Sequence, residues 1–290
     1  MKRIFSAADL LLLVTTFIWG WSFIIVKWSM TVIDPYFFIF ARFTIALLFL
    51  VTIFEAKLKN QLRTCIIPGF ILGLVLAMAF ITQTLGLRST TASVSSFITG
   101  LNVVLVAGFA SLTRRKLPPV PVLIGIGTAT VGMLLITFRG PLAFQRGDLF
   151  TLTCAVLFAW HIVLTEKYAP SHSVTALTLV QFATAALLAG LVFLFWGHQR
   201  LPLVKFTGWH WAAILYSALP ATALAYLFQT KAQQKIPPFR TAIIMATEPL
   251  FAGIFAISLR FDPFDWKVVA GGILIVAGMI LAAWDVRESS

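Results

Sequence analysis

The chain has 290 residues, of which 60% are hydrophobic and 11% charged, with 27 Phe, 9 Trp and a formal net charge of +12. Soluble domains average about 45–50% apolar and about 25% charged residues, so the composition argues against a water-soluble domain and for a protein folded in lipid. The basic balance invites a nucleic-acid reading, but Lys and Arg fall mainly in short connections between apolar runs, which makes the charge a matter of membrane topology.

Ten segments reach or approach the roughly 20 apolar residues that cross a bilayer. The first, Leu10–Trp28, places Thr15, Trp19 and Ser22 at i, i+4, i+7 spacing, which is one helical face. It follows Met1-Lys2-Arg3 but lacks a small-residue cleavage site and feeds into further spans, so a retained helix is expected rather than a signal peptide. Tyr36–Phe54 carries Arg42 inside an apolar run. Ile67–Leu87 shows Leu76, Phe80 and Gln83 on one face, and Ser93–Leu112 shows Ser95, Thr99 and Asn102. Val122–Phe138 contains Gly125 and Gly132. Leu149–Tyr168 aligns Cys154, Phe158 and His161, and Ala176–Trp196 follows as an apolar span. Trp211–Phe228 leads into the face formed by Thr222, Tyr226 and Gln229. Thr241–Ser258 presents Thr241, Met245 and Glu248, the last followed by Pro249, and Val268–Trp284 closes the series with Gly271 and Gly278.

The second half repeats the first. Asp9-Leu10 through Trp28 aligns with Asp148-Leu149 through Lys167 at a shift of 139 residues (148 minus 9), which sets Trp19-Gly20-Trp21-Ser22 on Phe158-Ala159-Trp160-His161. The same shift carries Arg42-Phe43-Thr44-Ile45-Ala46 onto Gln181-Phe182-Ala183-Thr184-Ala185. Further on the shift is 146 (229 minus 83): Gln83-Thr84 meets Gln229-Thr230, and Gly125 and Gly132 meet Gly271 and Gly278. Five crossings is an odd number, so the two copies must lie in opposite orientations. The expected architecture is an all-α integral membrane protein of ten transmembrane helices in two inverted five-helix repeats, residues 1–138 and 148–290, joined by a linker over 139–147. Inverted repeats with a site between them are a transporter's arrangement.

With the N-terminus inside, 13 basic residues fall on the cytoplasmic side and 8 on the outer side, leaving Arg42 within a span. The sign predicts both termini cytoplasmic in the cell inner (plasma) membrane. Cys65 and Cys154 make no metal or disulfide motif, and the four histidines form no ligand cluster. No nucleophile–base pair and no nucleotide-binding motif is present, so neither an enzyme nor a bound cofactor is expected, and no nucleic-acid partner.

Polar groups within spans cost free energy in hydrocarbon and normally face other helices or a wet cavity. Three repeat-related helix pairs present such faces at corresponding heights, which predicts a central cavity for a small-molecule substrate lined by Trp19, Ser22, Gln83, Thr99, Asn102, Phe158, His161, Tyr226, Gln229 and Glu248. The alternative is interhelical hydrogen bonding with no ligand. Glu248 beside a proline kink either binds a cation or proton or satisfies a freed carbonyl. Arg42 either grips a substrate carboxylate or pairs with a neighbouring helix end or carbonyl. His161 serves proton coupling or is a neutral hydrogen-bonded core residue. Lys27 and Glu166, at equivalent repeat positions, read as interface residues that snorkel. Oligomeric state is not legible in the sequence, and a non-transporting scaffold or receptor with the same fold is the competing reading.

The run Phe17-Ile18-Trp19-Gly20-Trp21-Ser22-Phe23-Ile24, then Pro35 and Phe40-Ala41-Arg42-Phe43, resembles the opening of EamA-type members of the drug/metabolite transporter superfamily. So do Ala246-Thr247-Glu248-Pro249-Leu250-Phe251-Ala252 and Ala270-Gly271-Gly272-Ile273-Leu274-Ile275-Val276-Ala277-Gly278. The resemblance covers essentially the whole chain in two copies. It implies ten transmembrane helices in inverted repeats and export of small metabolites such as amino acids, or of drugs. Two departures stand out: where the family often has a Glu after the fourth helix of each repeat, this chain has Lys116 and Asp262, and the proline that often interrupts that helix is Val103 in one copy and Pro249 in the other.

Overall fold

In lipid a backbone group has no water to turn to, so an apolar chain must satisfy its own amides by winding into helices. The computed structural model describes residues 6–29, 32–87, 98–137, 146–197, 206–260 and 264–285, apart from the side chains at 23, 24, 27, 28, 55–60, 87, 137 and 282–285. Ser95, Asp262, the Lys27 side chain and most of the 139–147 connection therefore lie outside the described residues.

Among the described residues the regular structure is helical. In chain order the helices are α1 (Ala7–Ser29), α2 (Pro35–Leu87), α3 (Asn102–Arg114), α4 (Val120–Thr137), α5 (Arg146–Tyr168), α6 (Val174–Trp196), α7 (Gly208–Ala218), α8 (Ala225–Gln233), α9 (Pro238–Met245), α10 (Glu248–Ser258) and α11 (Trp266–Asp285). Their starts carry the expected chemistry. Asp34 Oδ1 accepts from the Tyr36 and Phe37 amides at 2.9 and 3.1 Å ahead of Pro35, and Ser173 caps α6. Among the described residues, six helical stretches are long and apolar enough to cross a membrane: Pro35–Phe54, Gln61–Gly86, Arg146–Ser171, Val174–Trp196, Gly208–Gln233 and Pro238–Ser258. Ala7–Ser22, Ile98–Arg114, Val120–Ile136 and Trp266–Leu281 are apolar over shorter runs. The surface is apolar where a soluble protein's would be polar: Ile67 is 71% exposed and Leu187 64%, while Thr15 and Gln229 are buried. This is a multi-pass membrane protein.

Helix α2 doubles back on itself. The Phe43 and Phe80 ring centroids are 5.3 Å apart, whereas 37 residues of straight helix would separate them by about 55 Å at 1.5 Å per residue. Its two arms pack with α6 around Phe43, Leu50, Leu76 and Phe182.

Two spans are interrupted, the eighth without any expectation of it and the ninth at the kink expected from Pro249. The eighth is α7, a π-helical stretch Leu219–Leu224 and α8. The ninth breaks at Ala246–Thr247 into α9 and α10, because Pro249 has no amide hydrogen to donate to the Met245 carbonyl four residues earlier.

Helices α4 and α11 cross in opposite senses at glycines. A Cβ on Gly132 would stand 2.5 Å from the Gly271 carbonyl oxygen, and one on Gly278 would stand 2.5 Å from that of Gly125. Only a residue without a side chain permits such backbone contact.

Candidate functional site

The π-helical stretch organises the centre of the bundle. Pro220 cannot donate to the Tyr216 carbonyl, and the widened turn lets Thr222 Oγ1 donate to the Ser217 carbonyl at 2.7 Å. The Ala221 carbonyl is left facing two other helices. It accepts from Trp19 Nε1 of α1 at 2.8 Å and from Arg42 Nη2 of α2 at 3.1 Å. Arg42 Nε donates to Thr222 Oγ1, and the guanidinium carbon lies 4.6 Å from the Phe80 ring centroid. Arg42 is thus held by a neighbouring carbonyl, a hydroxyl and a ring face.

Aromatic rings surround this anchor. Tyr226 is the hub: its ring centroid is 5.4 Å from that of Trp19, 5.8 Å from His161 and 5.9 Å from Phe182. Phe80 meets Phe158 edge-on at 5.5 Å. Rings from α1, α2, α5, α6 and α8 therefore converge at one level, as the π-face and ring-edge electrostatics favour.

The expected polar residues divide into two sets. Some are tied to the protein. His161 Nε2 bonds Gln181 Oε1 at 2.9 Å, Gln229 Nε2 donates to Gln233 Oε1 at 3.0 Å, and Gln233 Nε2 donates to the Ile162 carbonyl at 2.7 Å. Thr99 lies against the Cys154 thiol, but its buried hydroxyl has no hydrogen-bond partner among the described residues. Others make no hydrogen bond among the described residues: Ser22 on α1, Gln83 one turn beyond Phe80, Asn102 at the start of α3, and Glu248 at the start of α10. Glu248 is half-buried and lies in the neighbourhood of Arg42 and Tyr226.

Sequence reasoning missed the π-helical seat, although Pro220 inside an apolar run signals a disturbed helix. It also missed a buried ion pair. Arg240 Nε donates to Asp9 Oδ1 at 2.9 Å and Arg240 Nη2 to Asp9 Oδ2 at 2.7 Å, while the Ser6 amide and hydroxyl donate to Asp9 Oδ2 at 2.7 and 2.8 Å. Glu166, expected as an interface residue, is partly exposed and pairs with Arg114. Among the described residues, no three His, Cys, Asp or Glu side chains are placed to hold a metal ion.

The model of the EamA-like transporter family matches residues 6–138 and again 145–284. The chain belongs to that family, within the drug/metabolite transporter superfamily. An uncharacterized transporter of Archaeoglobus fulgidus is 26% identical over 291 residues, covering 98% of this chain and 87% of its own. A second from that organism is 28% identical over 286 residues, covering 95% and 97%. A WAT1-related protein of Arabidopsis thaliana is 26% identical over 200 residues, covering 63% of this chain and 55% of its own. One solved crystal structure shares the fold of this EamA-like chain at a TM-score of 0.84 and 16% identity, over 98% of this chain and 99% of that one. Family and relatives point to transport rather than catalysis.

Proposed function

We propose that the chain is a secondary active transporter that moves a small amphipathic organic molecule, amino-acid-like or drug-like, by alternating access through the central cavity. The observation that carries this reading is Glu248: a half-buried carboxyl with no bonded partner among the described residues, on a helix break beside the ring cluster. The nearby Arg42 spends its donors on Thr222 and Ala221, which leaves the carboxyl oxygens open to a cargo ammonium group or a coupling proton. The rings of Trp19, Phe158 and Tyr226 favour apolar or cationic moieties. Ser22, Gln83 and Asn102 offer neutral hydrogen bonds to a polar head; Thr99, His161 and Gln229 shape the wall. A multiply charged cargo is poorly served, because neutral groups offset little of its desolvation. Glu248 is the first candidate for proton coupling and His161 the second.

In this reading ten spans form two inverted repeats, 1–138 and 148–290, rocking against one another in the inner membrane with both termini cytoplasmic. The double family match supports it. So do the glycine contacts: Gly125 and Gly132 are repeat equivalents of Gly271 and Gly278, and they pack crosswise, as elements related by a two-fold axis do. Trp21 against Phe255 at 5.0 Å has its repeat equivalent in Trp160 stacked on Phe109 at 4.8 Å. Export is the proposed direction, on family resemblance.

The test is uptake and counterflow in proteoliposomes against amino acids, organic cations, nucleosides and a nucleotide. Saturable flux of a singly charged or zwitterionic compound, with none of the nucleotide, is expected. A panel with no flux, or flux of the nucleotide alone, would overturn the reading.

A further inference from the structure

We infer that Asp9 and Arg240 form a gate pair that must separate for cargo to pass at the end of the bundle where α1 and α9 begin. The inference rests on the transport reading above and on the geometry of α1 against the broken span.

Three contacts at one constant offset of 231 residues fix that geometry. Asp9 meets Arg240, Thr16 Oγ1 lies 2.9 Å from Thr247 Oγ1, and a Cβ on Gly20 would stand 2.7 Å from Phe251 Cβ. A constant offset means that α1 runs parallel to α9 and α10 and in register with them. Along this seam α10 is seated by backbone-close contact at Gly20, and the break at Ala246–Thr247 is pinned by the Thr16–Thr247 bond. Beyond that pin α9 is a lever of eight residues. Its far end carries Arg240, seven residues or about 10 Å from Thr247 at the helical rise.

The lever closes a path. Its Ile243 and Ile244 pack with Leu12 of α1 and Val103 of α3, and Ala232 of α8 and Ile236 of the turn after it join the same cluster. This apolar plug lies between the ring cluster and the end marked by Asp9. The buried ion pair is a poor choice for stability alone, because desolvation offsets much of its attraction. It is well suited to a two-state contact: the two parallel Arg240 bonds form and break together, while the Ser6 amide and hydroxyl, in the same turn as Asp9, still satisfy its carboxylate when Arg240 leaves. The Arg114–Glu166 pair fastens α3 to α5 at the same end, but it is partly exposed and is not part of the proposed latch.

The test begins with Cys65→Ser and Cys154→Ser, and places a reporter by Thr15→Cys, between the latch and the ring cluster. A membrane-impermeant methanethiosulfonate is applied from the side of the chain termini. The double variant Asp9→Asn with Arg240→Gln removes both charges and leaves neither buried alone. The expected result is labelling about tenfold faster than with the pair intact, in line with typical coupling between states. Equal labelling rates would overturn the proposal. In a second arm, Asp9→Cys and Arg240→Cys are joined by a short bifunctional methanethiosulfonate. Linked protein should bind cargo and lose flux, and a reductant should restore it. Flux unchanged by the link would make the pair merely structural. The labelling arm needs no cargo, so failure of the transport reading and failure of the gate are told apart.

Discussion

Replacing Arg42 separates an anchored guanidinium from one that waits for cargo. Arg42→Lys keeps the charge but loses the planar fork that reaches Thr222 Oγ1 and the Ala221 carbonyl together, and loses the flat contact with Phe80. A hydrogen bond from a charged group contributes about 1.5–3 kcal/mol and a buried cation–ring contact up to about 2 kcal/mol. Lysine retains one bond and part of the ring contact, so the expected cost is on the order of 2 kcal/mol, or roughly 4–8 °C in Tm at about 2–4 °C per kcal/mol. Arg42→Met should cost less than Arg42→Lys. Both acceptors keep a partner, because Trp19 Nε1 still donates to Ala221 and Thr222 still donates to Ser217, and no buried charge is left without its fork. Thermal unfolding in detergent, followed by intrinsic fluorescence, reads the order directly. Wild-type stability for Arg42→Lys, with lost cargo binding, would refute the anchor and return Arg42 to the cargo.

Gly132→Leu should destabilise by about 1–3 kcal/mol or prevent α4 from meeting α11, since its Cβ collides with a backbone carbonyl; Gly127→Leu, with nothing within 4 Å of a Cβ, should be close to neutral in the same thermal assay. Trp19→Ala, Asn102→Ala and Tyr226→Ala should each weaken cargo binding or flux while Leu187→Ala does not, and if all four behave alike the central site is misplaced. Reporter fusions after Lys59 and after Arg146 should report opposite compartments, with activity on the same side removing the ten-span topology.

Six spans were legible because hydrocarbon imposes a single demand, a long apolar run, and Tyr36–Phe54 or Ala176–Trp196 meets it without reference to the rest of the chain. The glycines were legible for a similar reason, since Gly132 and Gly271 have few uses in lipid other than close approach. What depended on distant partners was not legible. The Arg42 seat needs a π-helical turn 180 residues away, and the sequence left its two roles open. Arg240 counted only as a basic residue of a short loop until the parallel seam of α1 and α9 brought it to Asp9. The expected site residues share a helical face within each span, yet periodicity cannot tell Gln229, bound to Gln233, from Gln83, which has no bonded partner among the described residues. That division is set by neighbouring helices.

Trans-stimulation in proteoliposomes tests the central claim most directly. Liposomes loaded with unlabelled cargo should take up labelled cargo faster than empty ones, because a loaded site returns across the membrane. Glu248→Gln, folded to the wild-type Tm, should lose most of that acceleration. Equal uptake by loaded and empty liposomes, or full acceleration in Glu248→Gln, would contradict alternating access through a site built around Glu248.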